Sequence, residues 1–346
     1  MDLSKKSHPK HSRSEELFFE PEDIRWATPE IVAKYRAERL KCNIIIDLGC
    51  GIGFQTFAFA QTCQKVYAIE IDKRKIENAQ KNAEVLGLKN IEFIHGDMLD
   101  PAIIKKVKKA DIVFCDPERL PEEERRSVGS IIPGVDKILA AYGKITSKIA
   151  IEFPPQIKEI LFDCEKEYLS LDGALNRLTL YFHGLKEAER SAIILSKVSK
   201  EEKIVSERIV NNPKAKLIEH ENKEKPNTYL YEVDSAVVKA DLLAELGVKT
   251  GCFLFSRGKA TFFTSDKRIK NTFFKKMLEV VATVPFNEKD ILTSLQKNEC
   301  GKVVIRYSVD PQDYWKERKN YESKLKGNKM AYLFQFGLKA VIGEEI

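Results

Sequence analysis

The stretch Asn43-Ile44-Ile45-Ile46-Asp47-Leu48-Gly49-Cys50-Gly51-Ile52-Gly53 decides the fold. Its apolar half is continuous and β-branched, with no polar alternation, which predicts a strand buried on both faces of a parallel sheet. The glycines that follow permit unusual dihedrals and a close backbone approach. Residues 54–61 then suit a return helix, completing the strand, glycine turn and helix of a nucleotide-type site.

The pattern repeats outward from this unit. A strand at 66–69 ends at Glu70, and a helix over 73–86 stops at Gly87. Strands at 91–94 and 111–115 end at Gly96-Asp97 and Asp116-Pro117. A fifth strand at 148–153 stops at Pro154-Pro155, and two closely connected strands at 178–182 and 192–195 complete a predicted sheet of seven. Upstream, Thr28-Pro29-Glu30 reads as a helix start with Thr28 as its cap. The alternation predicts an α/β, Rossmann-like seven-stranded core.

The acids at the strand ends carry the chemistry. The glycine loop suits either a dinucleotide phosphate or the methionine part of S-adenosylmethionine, and Asp47 favours the latter because a carboxylate meets an ammonium through charged hydrogen bonds. Glu70 offers acceptors for two ribose hydroxyls. Asp72 suits ligand contact or a helix cap equally. Asp97, with Met98 beside it, is placed to receive an adenine amino group, and Asp116 lies at the end of the fourth strand, beside the transferred methyl. Singly, each acid suits a turn or a cap; together with Gly49, Gly51 and Gly53 they form an ordered cofactor set.

As a set, Asp47-Leu48-Gly49-Cys50-Gly51-Ile52-Gly53, Ala68-Ile69-Glu70-Ile71-Asp72, Phe93-Ile94-His95-Gly96-Asp97 and Asp116-Pro117-Glu118-Arg119 resemble the successive motifs of class I S-adenosylmethionine-dependent methyltransferases. Trp26-Ala27-Thr28-Pro29-Glu30, followed by this core, resembles the trimethylguanosine synthase-like group, whose N-terminal residues approach a guanine. That resemblance implies substrate contacts for Trp26 and Thr28. The group's fourth motif carries a second proline and an aromatic, which this chain lacks, and the departure weakens a guanine-amine assignment. The chain is also similar to bacterial and archaeal methyltransferases with a C-terminal THUMP-like domain, through residues 228–247 and 285–309. That similarity implies an RNA methyltransferase architecture.

Methyl transfer needs no metal, because a sulfonium is already a strong donor and alignment of the nucleophile supplies much of the effect. Asp116 is the candidate to orient or deprotonate an attacking nitrogen, and Arg119 to bind a phosphate or base oxygen. Glu152, before two prolines, is a further catalytic candidate, with helix capping as its alternative. Cys50 has no motif that makes it a nucleophile, and His95 reads as a packed or hydrogen-bonded histidine.

A length of 346 residues predicts one large and one smaller domain. The expected organisation is a flexible basic arm at 1–20, a methyltransferase domain at 21–200, a polar connection at 201–226, within which 203–210 is a strand candidate, and a smaller α+β domain at 227–346. Residues 121–126, Pro-Glu-Glu-Glu-Arg-Arg, read as an insertion or lid. In the tail, one helix is expected over 235–246, another over 287–298, and strands near 251–255, 260–264, 278–284, 302–307 and 330–336. The 58 Lys and Arg against 52 Asp and Glu permit a polyanionic partner without demanding one. Seven cysteines without CxxC spacing predict a reduced compartment, and no apolar run reaches spanning length, so the expectation is cytoplasmic with no membrane partner.

Tyr314-Trp315-Lys316-Glu317-Arg318-Lys319-Asn320-Tyr321 interleaves aromatics with positive charge. Lys316, Arg318 and Lys319 suit phosphates, while Trp315 or Tyr321 suits an exposed base. A solvated hairpin or short helix is the alternative. The preferred reading is methylation of a nucleobase nitrogen in structured RNA, tRNA or rRNA, with S-adenosylmethionine as cofactor. The alternatives are a small-molecule or protein methyltransferase, and an RNA-binding protein that keeps the cofactor fold without turnover.

Overall fold

A computed structural model describes residues 10–119, 129, 131–157, 159–197, 204–258 and 260–346, with the backbone alone at 118, 119, 197, 204 and 205. The chain divides into two units, residues 1–191 with 195–206, and residues 192–194 with 207–346.

The first unit opens with α1 (Pro21–Trp26) and α2 (Glu30–Arg39). Pro29, not Thr28, occupies the cap position of α2, and no side chain caps that helix. Of the flexible arm expected at 1–20, residues 1–9 lie outside the described residues, and the end of the remainder is held to the core. The Phe18 amide donates to Asn82 Oδ1 at 2.6 Å, and Asn82 Nδ2 returns a bond to the Phe18 carbonyl at 3.0 Å. Leu17 packs with Ile52, Phe54 and Phe57, so apolar burial fastens this segment over the glycine turn.

The isoleucine run forms β1 (Ile44–Leu48) and is followed by α3 (Phe54–Thr62), β2 (Lys65–Glu70), α4 (Lys73–Val85), β3 (Ile91–His95), α5 (Pro101–Ile104) and β4 (Ile112–Cys115). A short antiparallel pair, β5 (Glu118–Arg119) and β6 (Ile131–Ile132), precedes α6 (Val135–Tyr142) and β7 (Ile149–Phe153). Then come β8 (Cys164–Leu171), β9 (Ala174–Phe182), β10 (Arg190–Lys197) and β11 (Ile204–Val210). The sheet order is β11-β10-β8-β9-β7-β4-β1-β2-β3. β3, β2, β1, β4 and β7 run parallel, and β9 is antiparallel to both β7 and β8.

This is a mixed α/β, Rossmann-like fold. All seven expected strands lie in the sheet, and β8 and β11 raise the number to nine. β8 escaped detection because Glu165, Lys166 and Glu167 break its apolar pattern, although Glu165 and Glu167 are buried. Strand order reverses between β1 and β4, which opens a crevice beyond their carboxyl ends. Beneath it, Leu40, Ile45, Phe59 and Phe114 pack α2 and α3 against the sheet.

The second unit contains β12 (Tyr229–Val233), α7 (Ser235–Lys239), α8 (Leu243–Thr250), β13 (Phe253–Ser256), β14 (Phe262–Ser265), β15 (Phe274–Pro285), α9 (Glu288–Lys297), β16 (Cys300–Ile305), α10 (Tyr314–Glu322), β17 (Lys329–Phe336) and β18 (Lys339–Glu345). Its sheet runs β13-β14-β12-β15-β18-β17-β16. The single helix expected over 235–246 is two helices, with Asp241 between them at φ 53°. Residues 314–322, open between hairpin and helix in the sequence, are helical.

Candidate active site

The glycine turn is held from below. Gly49 N and Cys50 N both donate to the Ile69 carbonyl, at 2.9 and 3.1 Å. Gly49, Gly51 and Gly53 have φ of 76°, 55° and 94°, the left-handed region that favours glycine. A Cβ on Gly49 would lie 2.8 Å from the Asp116 carbonyl oxygen, and one on Gly53 would overlap the Phe57 ring. A Cβ on Gly51 would meet nothing within 4 Å, so the crest of the turn faces open space.

Asp47 is 1% exposed at the end of β1. Its Oδ2 accepts from Thr56 Oγ1 at 2.5 Å, whereas its Oδ1 is buried with no hydrogen-bond partner. Burial pushes its pKa up to about 7, against the opposing pull of the Thr56 hydrogen bond and Arg36. A buried acceptor without a partner, beneath a turn whose crest faces open space, fits a cofactor carrying an ammonium.

Glu70 braces the same turn. Its Oε2 accepts from Gly51 N at 2.8 Å and its Oε1 from Asp72 N at 2.9 Å. Each oxygen keeps acceptor capacity for a hydroxyl. Asp72 takes the capping alternative, with its side chain accepting from Arg74 N and Lys75 N at the start of α4. Asp97 is exposed and accepts from Leu99 N at 2.8 Å. Met98 is anchored through its carbonyl, which accepts from Tyr142 Oη at 2.7 Å, and its Cε lies 3.6 Å from the Cβ position of Gly49. The sheet therefore gathers Gly49, Met98 and Asp116 at one point.

Asp116 is half-buried, and its amide donates to the Leu48 carbonyl at 3.1 Å, which ties the ends of β1 and β4 together. Glu152 corrects the expectation of a catalytic acid. It is 2% exposed and ion-paired at 2.5 Å with both Arg36 Nη2 and Arg177 Nε. Arg36 also donates to Gln55 Oε1 at 2.8 Å and lies over the Phe114 ring at 4.6 Å. Glu152 is thus a buried counter-charge. Arg36, Gln55 and Arg177 were missed from sequence; the available signal was Arg36 standing between Val32 and Leu40 at four-residue spacing on the apolar stripe of α2.

Thr28 is buried, whereas Trp26 is 64% exposed with Arg25 over its ring at 5.1 Å. Lys10 Nζ donates to the carbonyls of Arg25 and Ala27 at 2.6 and 2.8 Å, and burial lowers its pKa to about 8. Asp23 fastens α1 to α4 through Arg74, at 2.6 and 2.9 Å. His95 is exposed, with Nε2 3.0 Å from the Ile71 carbonyl. The Arg119 side chain and residues 121–126 lie outside the described residues.

In the second unit, Lys316 and Lys319 are exposed on α10, while Arg318 pairs with Glu322 at 2.9 Å. Trp315 is 66% exposed; Tyr321 is 5% exposed within a core cluster and is not available to a base. Among the described residues, no group of three or more His, Cys, Asp and Glu side chains is placed to hold a metal, and no helix is long and apolar enough to cross a membrane.

Residues 41–229 match the family described as Methyltransferase domain, and the chain belongs to that family. It is 25% identical over 303 residues to an uncharacterized S-adenosylmethionine-dependent methyltransferase of Mycobacterium tuberculosis H37Rv, covering 85% of this chain and 78% of the relative. It is 37% identical over 81 residues to an uncharacterized RNA methyltransferase of Oceanobacillus iheyensis, a match to 23% of this chain and 18% of that protein. A candidate methyltransferase from Porphyromonas gingivalis W83 has a similar fold, with a TM-score of 0.73 at 15% identity over 95% of this chain and 83% of that one.

Proposed function

We propose that this S-adenosylmethionine-dependent methyltransferase methylates a nucleobase nitrogen in structured RNA, with Asp116 as the group that orients the nitrogen. The observation that carries the reading is the contact of Gly49 with Asp116, which sets the cofactor turn against the end of β4. Bound S-adenosylmethionine supplies an electrophilic methyl on a sulfonium. Asp47 would hold the cofactor's ammonium, Glu70 its ribose hydroxyls and Asp97 its adenine amino group. Asp116 would accept a hydrogen bond from the substrate N–H and take its proton as the nitrogen–carbon bond forms and the sulfonium's methyl carbon–sulfur bond breaks, with S-adenosylhomocysteine as the leaving group. Glu152 and Arg36 keep the strand ends beneath Asp116 in register.

Support for RNA comes from the Oceanobacillus iheyensis relative's name over the matched segment. The exposed Trp26 ring beside Arg25 suits an unpaired base. The second unit, with its resemblance to THUMP-like domains, is assigned to holding the RNA. The deciding experiment supplies labelled S-adenosylmethionine with total RNA, total protein and a small-molecule extract, followed by nucleoside mass spectrometry. Label in a modified nucleoside, lost in Asp116→Ala, is the expected result. Label confined to protein or small molecules overturns the RNA assignment.

A further inference from the structure

The excess positive charge of the chain has one address. Residues 207–346 carry 25 Lys and Arg against 19 Asp and Glu, which is the whole net charge of +6, so the first 206 residues are balanced. Within the second unit the cations are unevenly engaged. On and beside α10, Lys316 and Lys319 are exposed without an ion pair among the described residues, but Arg318 between them pairs with Glu322 at 2.9 Å, Lys324 pairs with Glu288 at 2.5 Å, and the acidic Glu317, bonded to Tyr307, lies among them. Lys267, Arg268 and Lys270 are all exposed and form no ion pair among the described residues.

These three side chains sit on a braced segment. β14 and β15 flank β12 and both run antiparallel to it, so residues 266–273 must cross over β12. Tyr231, fully buried on β12, fixes the crossing: its Oη donates to the Lys267 carbonyl at 2.8 Å and accepts from Ile269 N at 2.9 Å. Its ring stacks on Phe274 at 4.6 Å. At the far end, Asp234 N donates to the Phe273 carbonyl at 2.9 Å. Three cations within four residues are thus presented on a backbone that does not have to be ordered on binding, which lowers the entropic cost of association.

We propose that this crossover, Lys267 to Lys270, is the surface on which the second unit grips the sugar-phosphate backbone of RNA. The proposal rests on the RNA reading above and replaces α10 as the main point of contact. Its chemistry favours phosphates over other acidic partners. Ile269 is half-buried, so the segment exposes no apolar anchor for a bilayer and no apolar centre for a protein interface.

The test measures binding of a fluorescent RNA hairpin to the full chain across a salt series. It compares the parent with Lys267→Gln/Arg268→Gln/Lys270→Gln and with a charge-matched control, Lys289→Gln/Lys297→Gln/Lys302→Gln, in which the replaced lysines are also exposed. The crossover variant is expected to bind at least about ten-fold more weakly and to lose about 2–3 from the logarithmic salt slope, with the control losing much less. Unchanged melting temperature and S-adenosylhomocysteine affinity establish folding; Arg268→Gln alone serves as a milder variant. Equal effects of the crossover variant and the control overturn the proposal, as does parental binding to polyglutamate or to anionic phosphatidylserine vesicles as tight as to RNA. If the parent methylates RNA while the crossover variant binds it normally, this inference fails and the functional reading stands. If no RNA is methylated but crossover-dependent binding persists, the functional reading fails alone.

Discussion

Gly49 and Asp116 meet backbone to backbone: the missing Cβ of Gly49 leaves room for the Asp116 carbonyl, which would otherwise lie 2.8 Å from it. The contact joins the turn after β1 to the turn after β4 at the point where the sheet reverses its order.

Gly49→Ala combines a φ of 76° with a clash against main chain that cannot rotate away. The expected loss is about 1 kcal/mol from the dihedral and about 1–3 kcal/mol from the overlap, measured by urea unfolding. Gly51→Ala meets no atom, so its stability loss should be confined to the dihedral, while S-adenosylhomocysteine affinity falls further in calorimetry. Equal stability losses in the two variants would contradict the geometry.

Asp116→Asn should keep cofactor and RNA binding yet slow single-turnover methylation by about 100-fold, if proton acceptance is its role. Asp116→Ala should be at least as impaired. Glu70→Ala should mainly raise the cofactor dissociation constant, because that carboxylate braces Gly51 and Asp72, and should recover at high cofactor. A folded Asp116→Ala protein turning over at the parental rate would return this residue to the role of a turn organiser.

The Asp47 carboxyl makes stability and binding depend on pH in opposite directions. Its pKa is raised from an ordinary 3.8 to about 7, so its stability contribution is fully present below pH 4 and is lost as pH rises toward 7. The lost contribution is on the order of 4 kcal/mol. An ammonium-bearing ligand prefers the ionised form, so S-adenosylhomocysteine affinity should rise between pH 5 and 7 and then level off. Asp47→Asn should flatten both profiles, as followed by urea unfolding and calorimetry; a parental affinity profile flat over this range counts against Asp47 as the ammonium partner.

Arg36→Met leaves Glu152 ion-paired with Arg177 at 2.5 Å and removes a charge that is 2% exposed. Breaking a buried pair from one side costs about 3–5 kcal/mol. Chemical denaturation should show a loss at or below the low end of that range, because Arg177 still faces Glu152, and Arg36→Met/Glu152→Gln should recover part of it, since the half-compensated buried carboxylate is gone. A single variant as stable as the parent would remove Arg36 from the framework of the site.

Local patterning alone was enough for the first half of the fold. The run from Ile44 to Leu48 is apolar at every position because a central parallel strand is covered on both faces, and the glycines follow because the turn needs positive φ. The positions of Asp47, Glu70, Asp97 and Asp116 were legible for the same reason: each lies within two residues of a strand's end, and parallel strands bring their ends to one edge of the sheet. What tertiary structure decided was the state of each acid. Whether Glu152 stands free in a cleft or lies between Arg36 and Arg177 depends on residues 116 positions before it and 25 after it, whose meeting no local pattern encodes. The same holds for β8, where Glu165 and Glu167 interrupt the apolar pattern and are neutralised by Arg39, brought across from α2. Charge buried with a distant partner is invisible to hydrophobic periodicity, because that periodicity reports only what each segment does with its own side chains.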